Sequence, residues 1–315
     1  MSAPRTVFIV NPAAQNGALG RRWPELTHII RREVEGFEER LTEYRGQASE
    51  FARQAIDDGV LRIIAVGGDG TLNEVVNGFI ENNQAIHTND CALGLLPFGT
   101  GGDFRKSLRI PKDIAKAVQV IAAGRTRSID LGLLNYSDSS DAALTHSRAF
   151  INIASFGLSG KVDEMVNRGS KRLGGRIAFL VATARAGLSY QSQPVRLTFD
   201  DDKQSIEMVV STVAIANGRF FGGGMRMAPE ADLDDGFFDV VAVGDMSVTD
   251  FLFRGHRLYR GTHLSMDKVS SRRAKVVMAE PIGNEPILID VDGENPGQLP
   301  ARFQILESAI NFLVP

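Results

Sequence analysis

The residues of this chain best suited to chemistry are acidic groups set beside glycine. Asp69 lies in Gly67-Gly68-Asp69-Gly70-Thr71, and Asp103 closes Gly99-Thr100-Gly101-Gly102-Asp103. Glu230, Asp232, Asp234 and Asp235 crowd a turn that continues into Gly236 and Phe237, while Asp290, Asp292 and Glu294 flank Gly293. Glycine tolerates positive φ and lets backbone N–H groups approach a ligand closely, and the first turn of a helix carries positive dipole. A strand, a glycine turn and a helix in that order therefore favour a bound anion such as phosphate. A carboxylate inside such a turn makes sense when a divalent cation sits between it and the phosphates. The acidic run at 230–235 likewise suggests a hard-cation site, although the same composition serves ordinary turns. Strand alternation places Asp290 and Asp292 on one face, with Glu294 just past the turn at Gly293.

Repeating strand and helix patterns must position the first two turns. Residues 7–10 read as a buried strand ending in a small, polar loop from Asn11 to Gly17. A helix is predicted from near Pro24, with Leu26, Ile29, Ile30 and Val34 inward. A strand at 37–42 and a helix at 48–56, stopped by Gly59, come next. The run 63–66 is a strand feeding the first glycine turn, after which Thr71 is expected as a helix N-cap and Glu74 completes a capping box. A strand at 92–97, the second glycine turn and a helix ending at Gly124 finish the pattern. Such units imply a parallel sheet with helices on both faces, whose ligands bind beyond the carboxyl ends of the strands. Asn11, Thr42, residues 67–71 and residues 99–103 should gather on that rim.

From Arg127 the pattern shifts toward strands. Asp130 is a carboxylate in an apolar context, which is costly unless it is hydrogen-bonded. Residues 137–147 read as an exposed hairpin loop, 150–157 and 209–216 as strands, and 247–260 as a helix. Strands near 275–279 and 287–291 complete a sandwich, and those at 303–306 and 309–313 can return to the first domain. Gly157-Leu158-Ser159-Gly160 lacks the spacing of a nucleophile elbow, and no triad partners follow, which rejects a serine hydrolase. The segment 161–185, carrying Lys161, Arg168, Lys171, Arg172 and Arg176, is either a solvated basic face or a surface for anionic lipid headgroups.

Composition bounds these readings. With 315 residues, 43% hydrophobic and 23% charged, the chain is long enough for two cores. Its 35 basic and 38 acidic residues give a net charge of −3, which argues against nucleic acid as a partner. Cys91 is the only cysteine, so no intrachain disulfide forms, and the composition suits a reducing cytoplasm. No signal-peptide pattern and no apolar run of bilayer-spanning length is present, so any membrane contact is peripheral. A homodimer through a sheet edge is compatible with the strand pattern.

Taken in order, Asn11-Pro12, Thr42, GGDGTLNEVVNG at 67–78 and LPFGTGGDFRKSL at 96–108 resemble the catalytic domain of the diacylglycerol kinase superfamily, particularly its bacterial lipid kinases. The resemblance implies an α/β nucleotide-binding domain, residues 1–127 with 307–315 returning to it, and an all-β sandwich acceptor domain, residues 128–306. It implies an ATP- and Mg²⁺-dependent lipid kinase of phospholipid biosynthesis, acting on an apolar acceptor held between the domains. The implied nucleotide site comprises Asn11, Pro12, Ala13, Thr42, Gly67, Gly68, Asp69, Gly70, Thr71, Leu72, Asn73, Glu74, Thr100 and Asp103. Asp69, Asp103 and Asp130 would organise Mg²⁺ and its waters. The stretch 229–236 is similar to the family's Pro-x-Ala-x-x-x-Asp-Gly signature, which implies a magnesium held by Asp232, Asp235 and the backbone oxygen of Phe237. Glu294, in an Asp-Gly-Glu position, is implied as the proton acceptor. One departure is Gly102, where the family usually carries asparagine. An NAD kinase shares the GGDGT turn and is the nearest rival, but the Asp-Gly and Asp-Gly-Glu runs belong to the lipid group. A nucleotide-sensing protein without turnover is the other alternative.

Overall fold

The structure, a computed structural model, describes residues 6–86, 91–99, 101–137, 143–161, 190–200, 202, 204–246 and 254–315. Thr100 and most of the basic segment 161–185 lie outside these residues, as do 247–253 of the expected helix. The chain divides into two compact units, Met1–Asp130 with Leu306–Pro315, and Leu131–Ile305.

The first unit is the α/β domain expected from the strand and helix periods. It runs β1 Thr6–Val10, α1 Ala14–Glu33, β2 Phe37–Leu41, α2 Gln47–Asp57, β3 Arg62–Gly67 and α3 Asp69–Asn77. A short hairpin (β4 Ile80–Glu81, β5 Gln84–Ala85), β6 Ala92–Pro97, α4 Asp103–Ser107 and α5 Ile114–Ala123 follow. The sheet order is β2-β1-β3-β6, all parallel. Strand alternation divides the apolar residues between two faces. Phe8, Val10, Ile64 and Val66 pack with Leu19, Leu26 and Ile30 of α1 and Val118 and Ile121 of α5. Val7, Ile9, Ile63 and Ala65 are buried as well, and α2 and α3 cover β1 and β3. Burying both faces is what lets these strands be continuous apolar runs.

Two local features differ from what the sequence predicts. Helix α1 is kinked at its start, where Gln15, Asn16 and Gly17 have left-handed backbone, and its continuous right-handed part begins at Ala18, upstream of Pro24. Leu19 and Trp23 share a buried stripe with Leu26 and Ile30, and that packing carries the helix through the proline. Thr71 is not an N-cap. Gly68 occupies that position without a side-chain cap, and Thr71 is buried inside α3, where its Oγ1 accepts a hydrogen bond from Asn11 Nδ2 at 3.1 Å. Glu74 turns away to accept from the Gly46 amide at 3.1 Å, so no capping box forms.

The second unit is β-rich, as expected. Its strands are β7 Thr126–Ser137, which starts in the first unit, β8 His146–Phe150, β9 Ile153–Gly157, β10 Gln193–Phe199, β11 Ile206–Ala216 and β12 Phe238–Gly244. A short helix, α6 His256–Arg260, precedes β13 Val269–Ala274, β14 Val276–Pro281, β15 Ile289–Val291 and β16 Gln298–Leu313. A register shift between Val210 and Thr212 lets β11 pair with β10 before it and with β9 after it. Phe150, Phe156, Phe238 and Phe303 fill the core between these strands. The last strand is continuous where two were expected, with residues 301–304 paired to β14 and 311–312 to β6.

Residues 150–157, expected as one strand, are two. Ile151 and Asn152 lie between β8 and β9, and their amides, with that of Ile153 at the start of β9, turn toward the Asp292 carboxylate at 3.0–3.2 Å. Cys91 is buried, and desolvation pushes its thiol up to about 12, so it is not a nucleophile.

Candidate active site

Register alone brings the glycine turns together. Val10 is paired with Leu41 on one side and Val66 on the other, and Val66 with Leu96, so the residues after each leave the sheet at one rim. Further bonds close the rim: the Asn11 amide donates to Val66 O at 3.1 Å, the Thr42 amide to Val10 O at 2.9 Å and the Phe98 amide to Gly67 O at 2.7 Å. Asn11 Oδ1 accepts from the Ala13 amide at 3.1 Å and fixes the loop through Pro12.

The two turns touch backbone to backbone. A Cβ on Gly99 would stand 2.7 Å from Gly68 Cα, and one on Gly67 2.7 Å from Thr71 Cβ. Asp69 bridges them, because its Oδ2 accepts from the Asp103 amide at 3.2 Å and lies 3.2 Å from where a Gly101 Cβ would be. Asp103 is buried, and its Oδ1 meets Lys106 Nζ at 2.6 Å. Leu72 and Asn73 are buried in α3. Gly102 has φ +62°, a conformation that glycine adopts freely and asparagine tolerates better than other side chains. The departure at this position therefore keeps the backbone geometry while removing an amide side chain. Asp130 is buried and accepts from the Ser308 amide at 2.7 Å, which ties β7 to the returning end of β16.

This rim fits a polyphosphate: a helix starts directly after Gly68, and side chains are absent where backbone must approach a ligand. It also fits Mg²⁺, which is commonly held by one or two carboxylates together with phosphate oxygens rather than by an all-protein cage. Among the described residues no group of three or more His, Cys, Asp or Glu side chains forms such a cage.

The acidic turn before β12 fits a metal less well in this geometry. Asp232 Oδ1 accepts from the Leu233 amide at 2.9 Å. Asp235 Oδ1 accepts from the Phe237 amide at 3.0 Å, and its Oδ2 is paired with Arg273. Burial lifts the nearby Asp239 carboxyl above its ordinary range; Arg273 opposes that rise, and Asp235 and Glu230 add to it.

In the second unit the run around Gly293 forms a two-residue hairpin, with φ +50° at Asp292 and +88° at Gly293. Asp-Gly is the preferred sequence for such a turn. The alternation that would put Asp290 and Asp292 on one face ends at Val291, the last residue of β15. Asp290 instead accepts from Ser155 Oγ at 3.0 Å and from the Gly293 amide at 2.8 Å. Glu294 is fixed by two backbone bonds to Val291, at 2.8 and 3.0 Å, and its Oε2 is paired with Arg148 Nη2. Sequence reasoning missed Arg148, because one arginine in a strand of mixed composition carries no local signal.

Comparison with known proteins agrees with this fold. Residues 5–134 match the family described as the diacylglycerol kinase catalytic domain, and residues 152–314 match the YegS C-terminal NAD kinase beta sandwich-like domain. A diacylglycerol kinase of Staphylococcus carnosus (strain TM300) is 31% identical, over 99% of this chain and 95% of its own. A crystal structure of a diacylglycerol kinase from Bacillus anthracis str. Sterne superposes with a TM-score of 0.72 at 22% identity, covering 99% of this chain and 97% of that one. Yeast NADH kinase complexed with NADH gives a TM-score of 0.53 at 12% identity, covering 99% of this chain and 84% of that one, a likeness of fold alone.

Proposed function

The chain belongs to the diacylglycerol kinase family of lipid kinases, and on that premise we propose that it moves the γ-phosphoryl group of ATP to a hydroxyl of diacylglycerol or a related lipid alcohol. The observation that carries the reading is the pair of glycine turns packed backbone on backbone, with Asp69 joined to the amide of Asp103.

Phosphoryl transfer asks little covalent chemistry of a protein, which must hold the donor phosphates and aim the acceptor oxygen in line. In this reading the amides of residues 68–71 cradle the phosphates, and Asn11, Thr42, Thr71 and Thr100 place the nucleotide. Glu294 takes the hydroxyl proton as the acceptor oxygen bonds to the γ-phosphorus and the bond to the ADP oxygen breaks. Bound Mg²⁺ would neutralise phosphate charge, and Asp69, with Asp103 and Asp130, would hold it and its waters. A second magnesium assignment, at Asp232, Asp235 and the Phe237 carbonyl, would require Asp235 to release Arg273.

Incubation with labelled ATP, total lipid extract and NAD tests the reading: label is expected in the chloroform phase. Label in NADP would instead favour the NAD kinase alternative raised by the GGDGT turn at 67–71. Label in neither would leave a nucleotide-binding regulator. No helix among the described residues is long and apolar enough to cross a membrane. Peripheral docking through the basic segment 161–185 belongs to the same proposal, each basic residue near an anionic surface contributing on the order of 1 kcal/mol. Reversing the charge of Lys171 and Arg172 is expected to weaken sedimentation with anionic vesicles; unchanged binding would refute it.

A further inference from the structure

Glu294 stands on a hairpin turn whose position is held from two directions, and both holds end on the same stretch of chain. The Asp292 carboxylate gathers the amides of Ile151, Asn152 and Ile153. Three residues upstream of Ile151, Arg148 pairs with Glu294 itself, and both side chains are largely buried, at 21% and 17% exposure. Arg148 is in turn set by the β7–β8 ladder, where it stands opposite Leu134, and the neighbouring Tyr136 and His146 rings stack at 5.4 Å. The planar guanidinium fixes the carboxylate in direction.

We infer that Arg148 is a positioning residue for phosphoryl transfer, which holds the Glu294 carboxylate aimed so that it can take the acceptor's proton. This inference rests on the role proposed above for Glu294. The alternative is that Arg148 only stabilises the sandwich.

A double-mutant cycle separates these roles, with kcat, KM for ATP and thermal midpoint measured for the parent, Arg148→Ala, Glu294→Gln and the double variant. Arg148→Ala is expected to lower kcat by about 10²-fold, the lower end of what a positioned base contributes, with KM for ATP within about twofold of the parent. In the Glu294→Gln background the same change should lower kcat by less than about threefold, because a residue acting through another is not additive with it. Added guanidinium should restore part of the loss in Arg148→Ala. Should Arg148→Ala not fold, Arg148→Lys carries the test: it keeps the charge but not the fork, and an intermediate kcat at unchanged KM is expected. Parental kcat in Arg148→Ala or Arg148→Lys, or losses that add in the double variant, would overturn the inference. Full activity in Glu294→Gln would instead remove the base assignment on which it rests, and an inactive parent protein would remove the proposed reaction.

Discussion

Glu294→Gln should reduce transfer to lipid by about 10²–10⁴-fold. Glutamine matches glutamate in shape, and its carbonyl oxygen can still accept from Arg148, so the hairpin should survive. The backbone bonds between residues 291 and 294 do not involve the side chain at all. What disappears is the capacity to take a proton near neutral pH, since an amide oxygen is far too weak a base. The nucleotide turns belong to the other compact unit and use none of these atoms. ATP affinity, measured by calorimetry, should therefore stay within about twofold of the parent while label transfer collapses, the pattern of an interaction made only in the transition state. A variant that transfers phosphate at the parental rate would show that the proton leaves by another route.

The first unit was legible because its information is local. Apolar runs at 7–10, 63–66 and 92–97 announce strands buried on both faces, and the glycines that follow announce where the chain leaves the sheet. Once the strands are parallel and in register, convergence of Asn11, Thr42 and the two turns on one rim follows from topology. Structure departs from local pattern where a distant residue overrides a local preference. Thr71 has the sequence context of a cap, but Asn11, 60 positions away, takes its hydroxyl. Residues 150–157 have the composition of a strand, yet Asp292, about 140 positions on, takes three of their amides and breaks the strand at Ile151 and Asn152. The pairing of Arg148 with Glu294 spans 146 positions and leaves no periodicity to detect. Short-range signals thus located the elements and the turns, whereas the partners that hold each carboxylate could be read only from the folded chain.

Gly99→Ala is the change expected to act most strongly on nucleotide binding. At this position φ lies outside the left-handed region, so a larger residue meets no conformational barrier, and the obstacle is purely spatial. The new methyl would meet Gly68 Cα at 2.7 Å, and that atom is backbone, which cannot rotate away as a side chain would. Nor can the loops separate freely, because the amide of the preceding Phe98 is bonded to Gly67 O at 2.7 Å and the Asp103 amide to Asp69. Relief requires the two turns to part, which breaks one of these bonds and shifts the amides of residues 68–71 from the line of the phosphates. Overpacking of this kind typically costs 1–3 kcal/mol of stability, and a misplacement of about 1 Å among positioning groups can cost 10²-fold in rate. The expected result is an ATP affinity weakened by at least about tenfold, with a thermal midpoint lowered by several degrees. Gly283→Ala is the matched control, since a Cβ there meets nothing within 4 Å. Parental ATP affinity in Gly99→Ala would mean that contact between the two turns is not what shapes the phosphate site. A thermal midpoint in Gly99→Ala as high as in Gly283→Ala, where the substitution only restricts the unfolded chain, would likewise show that the methyl meets no obstacle.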